Sequence, residues 1–149
     1  MIAVPSSIID SKISFPSLNL HNVNSKLNMI TIETSTVNFE QNIFSNISTE
    51  SIYIMESRGS NLTFKNCSFS FFYPIFLYVT YTNLNIQFCN FSYSLQSQSI
   101  YFPTSSIYAE YGVLFNITDC RFENLHSSSS GSVKKTLFIH FKFLKRLYF

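Results

Sequence analysis

The sequence predicts an all-β chain, a solenoid of about five stacked coils followed by a basic, aromatic C-terminal tail, and three observations point there. β-branched and aromatic residues are abundant, whereas Ala, which helices use freely, occurs only at Ala3 and Ala109. The pattern apolar, any, apolar, two spacers, Cys, any, Phe occurs three times, in NLTFKNCSF, NLNIQFCNF and LFNITDCRF. It also returns at a near-constant interval, which is the mark of a repeat architecture.

The three full copies are Leu62/Phe64/Cys67/Phe69, Leu84/Ile86/Cys89/Phe91 and Phe115/Ile117/Cys120/Phe122. Two earlier copies lack Cys: Ile13/Phe15/Leu18/Leu20 and Val37/Phe39/Asn42/Phe44. The copies start at positions 13, 37, 62, 84 and 115, so three intervals are nearly equal and the last is longer. That last interval predicts an insertion, placed around Ser105 to Tyr111 as a loop bulging from the stack.

Within a copy, residues two apart share a strand face, so Leu62 and Phe64 point the same way. Cys67 lies an odd three residues beyond Phe64, and it faces the same interior only if the chain turns a corner between them. A second corner is expected at Asn22, Asn46 and Asn124, because Asn tolerates the left-handed backbone that a tight turn needs. A third strand per coil is expected at Met29 to Ile32, Ile52 to Ile54, Ile75 to Leu77 and Ile100 to Phe102. A β-sandwich would also show short strands and frequent turns, but it does not require the same residue types at the same offsets.

The repeat resembles those of right-handed parallel β-helices of the pectin-lyase-like kind, and most closely the repeats of polymorphic outer-membrane and protist surface proteins. The resemblance covers residues 13 to about 125. It implies a right-handed solenoid, and it makes polysaccharide cleavage the enzymatic activity to weigh.

The domain reading follows from these segments: a lead over 1–12, β-helix repeats over 13–125, a Ser-rich linker over 126–133 and the tail over 134–149. The chain of 149 residues can support one hydrophobic core and is short for two. With 46% hydrophobic and 12% charged residues, it is not the composition of a disordered segment.

Chemistry-bearing residues are sparse. Cys67, Cys89 and Cys120 form no Cys-x-x-Cys pair, which argues against structural zinc. Stacked coils place them instead in an inward ladder with Phe69, Phe91 and Phe122, as buried free thiols. Glycoside hydrolysis needs two carboxylates flanking one bond, and Asp10 and Asp119 have no acidic partner at the matching position of a neighbouring coil. A lyase needs a base beside acids that hold calcium, and Arg58, Lys65 and Arg121 fall in no acidic run. His21, His126 and His140 are scattered, and three glycines cannot build a phosphate-cradling loop. No catalytic, metal or cofactor site is therefore expected.

Five Asn-x-Ser/Thr sequons stand at Asn46, Asn61, Asn66, Asn90 and Asn116. Roughly three are expected by chance from the composition, so they permit glycosylation without indicating secretion. The N-terminus has no basic and apolar leader, which suggests an intracellular chain or a start lying further upstream. An extracellular or cell-surface location is expected only if the chain belongs to a longer secreted protein. The apolar run Phe71 to Val79 is about half the length of a membrane-spanning helix.

Charge is unevenly placed. Residues 1–133 hold five bases against eight acids, a net of −3, and the tail supplies Lys134, Lys135, Lys142, Lys145 and Arg146. Tail residues Leu137, Phe141, Leu144 and Tyr148 suit a helix, while Leu137, Ile139, Phe141 and Phe143 suit a strand equally well. Membrane-surface contact by 134–149 is one reading and nucleic-acid contact through Lys142, Lys145 and Arg146 another. A cap over the open end of the stack, or a truncated or misread chain end, is favoured because a single short basic segment is common and the body is acidic. The function expected is a non-enzymatic structural or surface-binding module, part of a longer β-helix protein, with carbohydrate or another surface protein as partner. The alternative is a carbohydrate-active enzyme, a polysaccharide lyase or glycoside hydrolase.

Overall fold

The computed structural model describes residues 6–92, 105–123 and 133–135. Over these the chain is all-β, with parallel strands wound into a right-handed solenoid of about four turns. The five-stranded sheet stacks β2 (Lys12–Pro16), β5 (Thr36–Glu40), β7 (Asn61–Lys65), β9 (Asn83–Gln87) and β12 (Leu114–Thr118) in coil order. The larger sheet holds β1 (Ser6–Ile9), β3 (Asn19–Ser25), β4 (Ile30–Glu33), β6 (Ile43–Arg58) and β8 (Ser68–Thr80). It is completed by β10 (Asn90–Ser92), β11 (Ser105–Glu110), β13 (Arg121–Glu123) and β14 (Val133–Lys135).

The register follows the repeat. Val37 pairs with Leu62 and Phe39 with Phe64, while Leu84 pairs with Phe115. Phe69 is in register with Phe44 and Phe91, and Phe91 with Phe122. Like residues therefore stack at the spacing of adjacent strands, about 4.8 Å. Two aromatic columns run along the interior. In one, Phe15, Phe39 and Phe64 stack at centroid distances of 5.1 and 4.9 Å. In the other, Phe44, Phe69, Phe91 and Phe122 stack at 5.3, 4.3 and 5.0 Å. Phe64 meets Phe69 edge-on at 5.4 Å, which joins the columns across the core.

Each coil bends where a residue enters the left-handed region. The corner between Phe64 and Cys67 is Asn66, with Ser17, Gln41, Phe88 and Asp119 above and below it. The Asn corner holds at Asn22 and Asn46, and Phe71 takes its place in the next coil. Asn124 lies outside the described residues. A third column of corners, Asp10, Thr34, Gly59, Tyr81 and Tyr111, closes each turn. Gly59 is the one glycine among these corners, so most of them carry a backbone strain of about 1 kcal/mol.

The same hydrogen-bond device offsets that strain at two corners. The residue after the corner turns inward, gives its side-chain proton to the carbonyl two residues back, and accepts the N–H of the equivalent residue in the preceding coil. At one corner Ser35 Oγ donates to Glu33 O at 2.7 Å and accepts from Ser11 N at 3.0 Å. At the other, Cys89 Sγ donates to Gln87 O at 3.2 Å and accepts from Cys67 N at 3.4 Å. Asn42 stands in the cysteine column and meets the same needs with its amide, donating to Phe15 O at 2.8 Å and accepting from Leu18 N.

One expectation is overturned. Ser105 to Tyr111 is not a bulging loop: Ser105–Glu110 is β11, paired with β8, with Ile107 and Ala109 buried. Phe91 pairs with Phe69 and Ile107 with Leu77, yet the chain from Phe91 to Ile107 is twice as long as that from Phe69 to Leu77. The extra length of that coil therefore falls between β10 and β11, with one more residue at Gly112. The period-two alternation of β11 is present in the sequence but is obscured by the interrupted spacing. The third-strand candidate Ile100 to Phe102, and the readings placed on His126, His140 and most of the tail, lie outside the described residues. Residues of the lead enter the stack, since β1 pairs with β4.

Candidate functional site

Among the described residues the inward side chains make one continuous apolar core, which leaves the outward faces for a site. Cys67, Cys89 and Cys120 are buried, free thiols in one column, with Phe69 and Phe91 fully buried beside them and Phe122 partly so. Their place in the corner hydrogen bonds makes them structural. No cluster of His, Cys, Asp and Glu able to hold a metal occurs among the described residues. No helix there is long and apolar enough to cross a membrane.

The residues weighed for catalysis are scattered over the surface. Asp10 sits at a corner and accepts a hydrogen bond from Thr34 Oγ1, while Asp119 occupies an exposed corner one coil beyond Phe88. Lys65 pairs with Glu40 at 3.4 Å, and Arg121 pairs with Glu123. His21 Nδ1 lies 2.7 Å from Ser45 Oγ on the surface. The sequons at Asn46, Asn61, Asn66 and Asn116 are exposed, whereas Asn90 is half-buried and its amide oxygen has no partner among the described residues.

What the winding does bring together is an aromatic and acidic face on the outside of β6, β8 and β11. Alternation along these strands turns Glu56, Arg58, Tyr78, Tyr108 and Glu110 outward, and the register sets Glu56, Tyr78 and Tyr108 in one column. Tyr53, just past a register shift in β6, joins the same face. Tyr53 and Tyr78 stack at 4.2 Å, and Tyr78 and Tyr108 at 5.8 Å. Glu110 accepts hydrogen bonds from both Tyr78 Oη at 2.9 Å and Tyr108 Oη at 2.8 Å. Glu56 accepts from Arg58 Nε at 2.8 Å and Nη2 at 2.6 Å, and from Asn28 Nδ2 at 2.9 Å. Beside this face, at the corner that ends each third strand, Tyr81 and Tyr111 stack at 6.1 Å and remain 67% and 63% exposed. The ring of Tyr81 passes 3.2 Å from where a Cβ on Gly112 would stand. A side chain there would press on it, and the positive φ of Gly112 also favours glycine.

Sequence reasoning missed this site because its residues lie outside the Cys-x-Phe repeat, and the longer interval before β11 hides that Tyr78 and Tyr108 share a register position. The signal available was the period-two run Ile107, Ala109 against Tyr108, Glu110, matching Leu77, Val79 against Tyr78, Thr80.

The phenols are held protonated. The hydrogen bond to Glu110, aided by burial, pushes Tyr108 up to about 12. Burial and then the same carboxylate push Tyr78 above its ordinary range, and burial raises Tyr53. Because these values are raised on folding, their contribution to stability is complete below the unfolded tyrosine value of about 10. It is lost as pH rises towards about 12 through the folded value of Tyr108. Denaturant melts between about pH 9 and pH 11 should show falling stability as the unfolded phenols begin to ionise, and Tyr108→Phe should flatten that fall. An unchanged slope in the variant would remove Tyr108 from the network.

Comparison with family models, with curated proteins and with solved structures returns no match to this chain. Fold and site together define it as a parallel β-solenoid with a tyrosine- and glutamate-bearing outer face.

Proposed function

We propose that this chain is a non-enzymatic surface-binding module whose working surface is the Tyr–Glu face with its Tyr81–Tyr111 corner. The observation that carries this reading is that the carboxylates there are committed as acceptors. Glu110 takes two phenol protons, and Glu56 takes a guanidinium and an amide. Such bonds occupy the carboxylate oxygens, and they hold the face rigid before any ligand arrives. Exposed tyrosines next to fixed hydrogen-bonding groups suit a hydroxyl-rich polymer, which agrees with the resemblance to pectin-lyase-like repeats.

A polysaccharide retention assay tests it. Soluble and insoluble plant, microbial and animal polysaccharides are mixed with the chain and with the double variant Tyr81→Ala/Tyr111→Ala. At least one polymer should retain the chain, the variant should bind about tenfold more weakly with an unchanged melt, and no new reducing or unsaturated chain ends should form. Retention of none would overturn carbohydrate as the ligand. Chain ends released by the parent protein and abolished by Glu110→Gln would replace the binding reading with the enzymatic one.

A further inference from the structure

The corner that carries Tyr81 and Tyr111 has an exposed apolar neighbour that the repeat does not explain. The outward column that begins each strand of the five-stranded sheet reads Lys12, Thr36, Asn61, Asn83 and Leu114. The first four coils place a polar or charged residue there, and the fifth places Leu114, which is 64% exposed. A single exposed leucine needs no explanation. This one stands three residues beyond Tyr111, so the corner presents three large side chains that are each more than half exposed.

The backbone fixes how the three are presented. Tyr81 N donates to Tyr111 O at 2.8 Å and Leu114 N donates to Thr82 O at 3.2 Å, so both ends of the fifth coil's corner are tied to the fourth. Between the paired positions Thr80/Glu110 and Asn83/Leu114, the fourth coil has Tyr81 and Thr82, whereas the fifth has Tyr111, Gly112 and Val113. Val113 is buried as Thr82 is, which makes Gly112 the added residue. The corner is thus widened by a residue without a side chain, and that leaves the ring of Tyr81 its place, since a Cβ on Gly112 would stand 3.2 Å from it.

The polar groups beside this patch are amides. Asn83 Nδ2 donates to Asn61 Oδ1 at 2.7 Å on the exposed surface, and an amide held in this way still has a second N–H and a carbonyl oxygen to offer. The column from Thr36 to Leu114 carries no charged side chain, nor do the corner residues Gly59, Tyr81 and Tyr111. A ligand that fits has a flat C–H face for the tyrosine rings, a small apolar group for Leu114 and a neutral amide for Asn83. A sugar ring bearing an acetamido group supplies all three. Resting on the carbohydrate-binding reading above, we propose that Leu114 and Asn83 complete the Tyr81–Tyr111 corner as a subsite for the acetamido group of an amino-sugar polymer. The sugar ring lies on a tyrosine, the acetamido methyl covers Leu114, and the acetamido N–H and C=O bond to the side-chain amide of Asn83.

Two polymers that share one backbone test it: chitin carries an acetamido group on each sugar where cellulose carries a hydroxyl. The full chain should bind chitin about tenfold more tightly than cellulose. Leu114→Asn gives the fifth coil the residue that the fourth carries, so its melt should not change. It should abolish the preference for chitin and leave the weaker binding to cellulose as it was. Equal binding to the two polymers would overturn the subsite, and so would a preference for chitin that survives Leu114→Asn. Retention only by polymers without acetamido groups would overturn it too while leaving the surface-binding reading in place, whereas retention by no polymer would overturn both.

Discussion

Replacing Phe69 by Ala should lower the stability of this chain by about 3 to 5 kcal/mol, the largest effect expected from any single core substitution. Phe69 is fully buried at the centre of the stack. Its ring touches Phe44 and Phe91 in its own column, Phe64 across the core at 5.4 Å and Phe76 at 4.5 Å. The parallel backbone ladders on both sides prevent the neighbouring coils from closing on the void, so transfer and cavity terms add. Phe91→Ala should behave alike. Phe88→Ala, at an exposed corner, should change stability by only about 0.5 kcal/mol. Denaturant melts of the three variants are the check, and a loss below about 1 kcal/mol for Phe69→Ala would contradict the stacking.

The thiol column makes a second large prediction. Cys67, Cys89 and Cys120 should react with a thiol reagent at least about a thousandfold more slowly in the native protein than in denaturant. Cys89 lies between the other two, and hydrogen bonding to Cys120 and Cys67 together with burial pushes its thiol far above the ordinary range. It is then a neutral thiol and a poor nucleophile. All three residues are less than a tenth exposed, with Cys120 the most accessible at 8%. Labelling should begin there and reach Cys89 last. Rapid labelling of all three without denaturant would mean that the corner hydrogen bonds do not hold the coils together.

The repeating interior was legible in the sequence because two local rules act on it. Alternation sets Leu62 and Phe64 inward whatever lies above them, and the odd step to Cys67 demands a corner, which Asn66 supplies. Asn22 and Asn46 were legible as corners for the same reason, since Asn tolerates a positive φ better than most residues. Phe71, Phe88 and Tyr81 could not be read that way. Aromatic residues have no preference for the left-handed region, and only the ladders above and below hold them there. The strand Ser105–Glu110 was hidden by the extra length of chain before it, which broke the interval that had located every other coil.

The outer face was decided by tertiary structure alone. Glu56, Tyr78 and Tyr108 follow one another at unequal intervals and share no single residue type, and Glu110 reaches two tyrosines on different coils. Inward positions share one demand, to fill a closed column, so the same residues recur there and the repeat can be seen. Outward positions share none, and each is free to take the residue its neighbours in space can use. The sequence by itself thus determined a parallel stack with a Phe and Cys interior, and the winding decided which polar and aromatic residues meet on its surface.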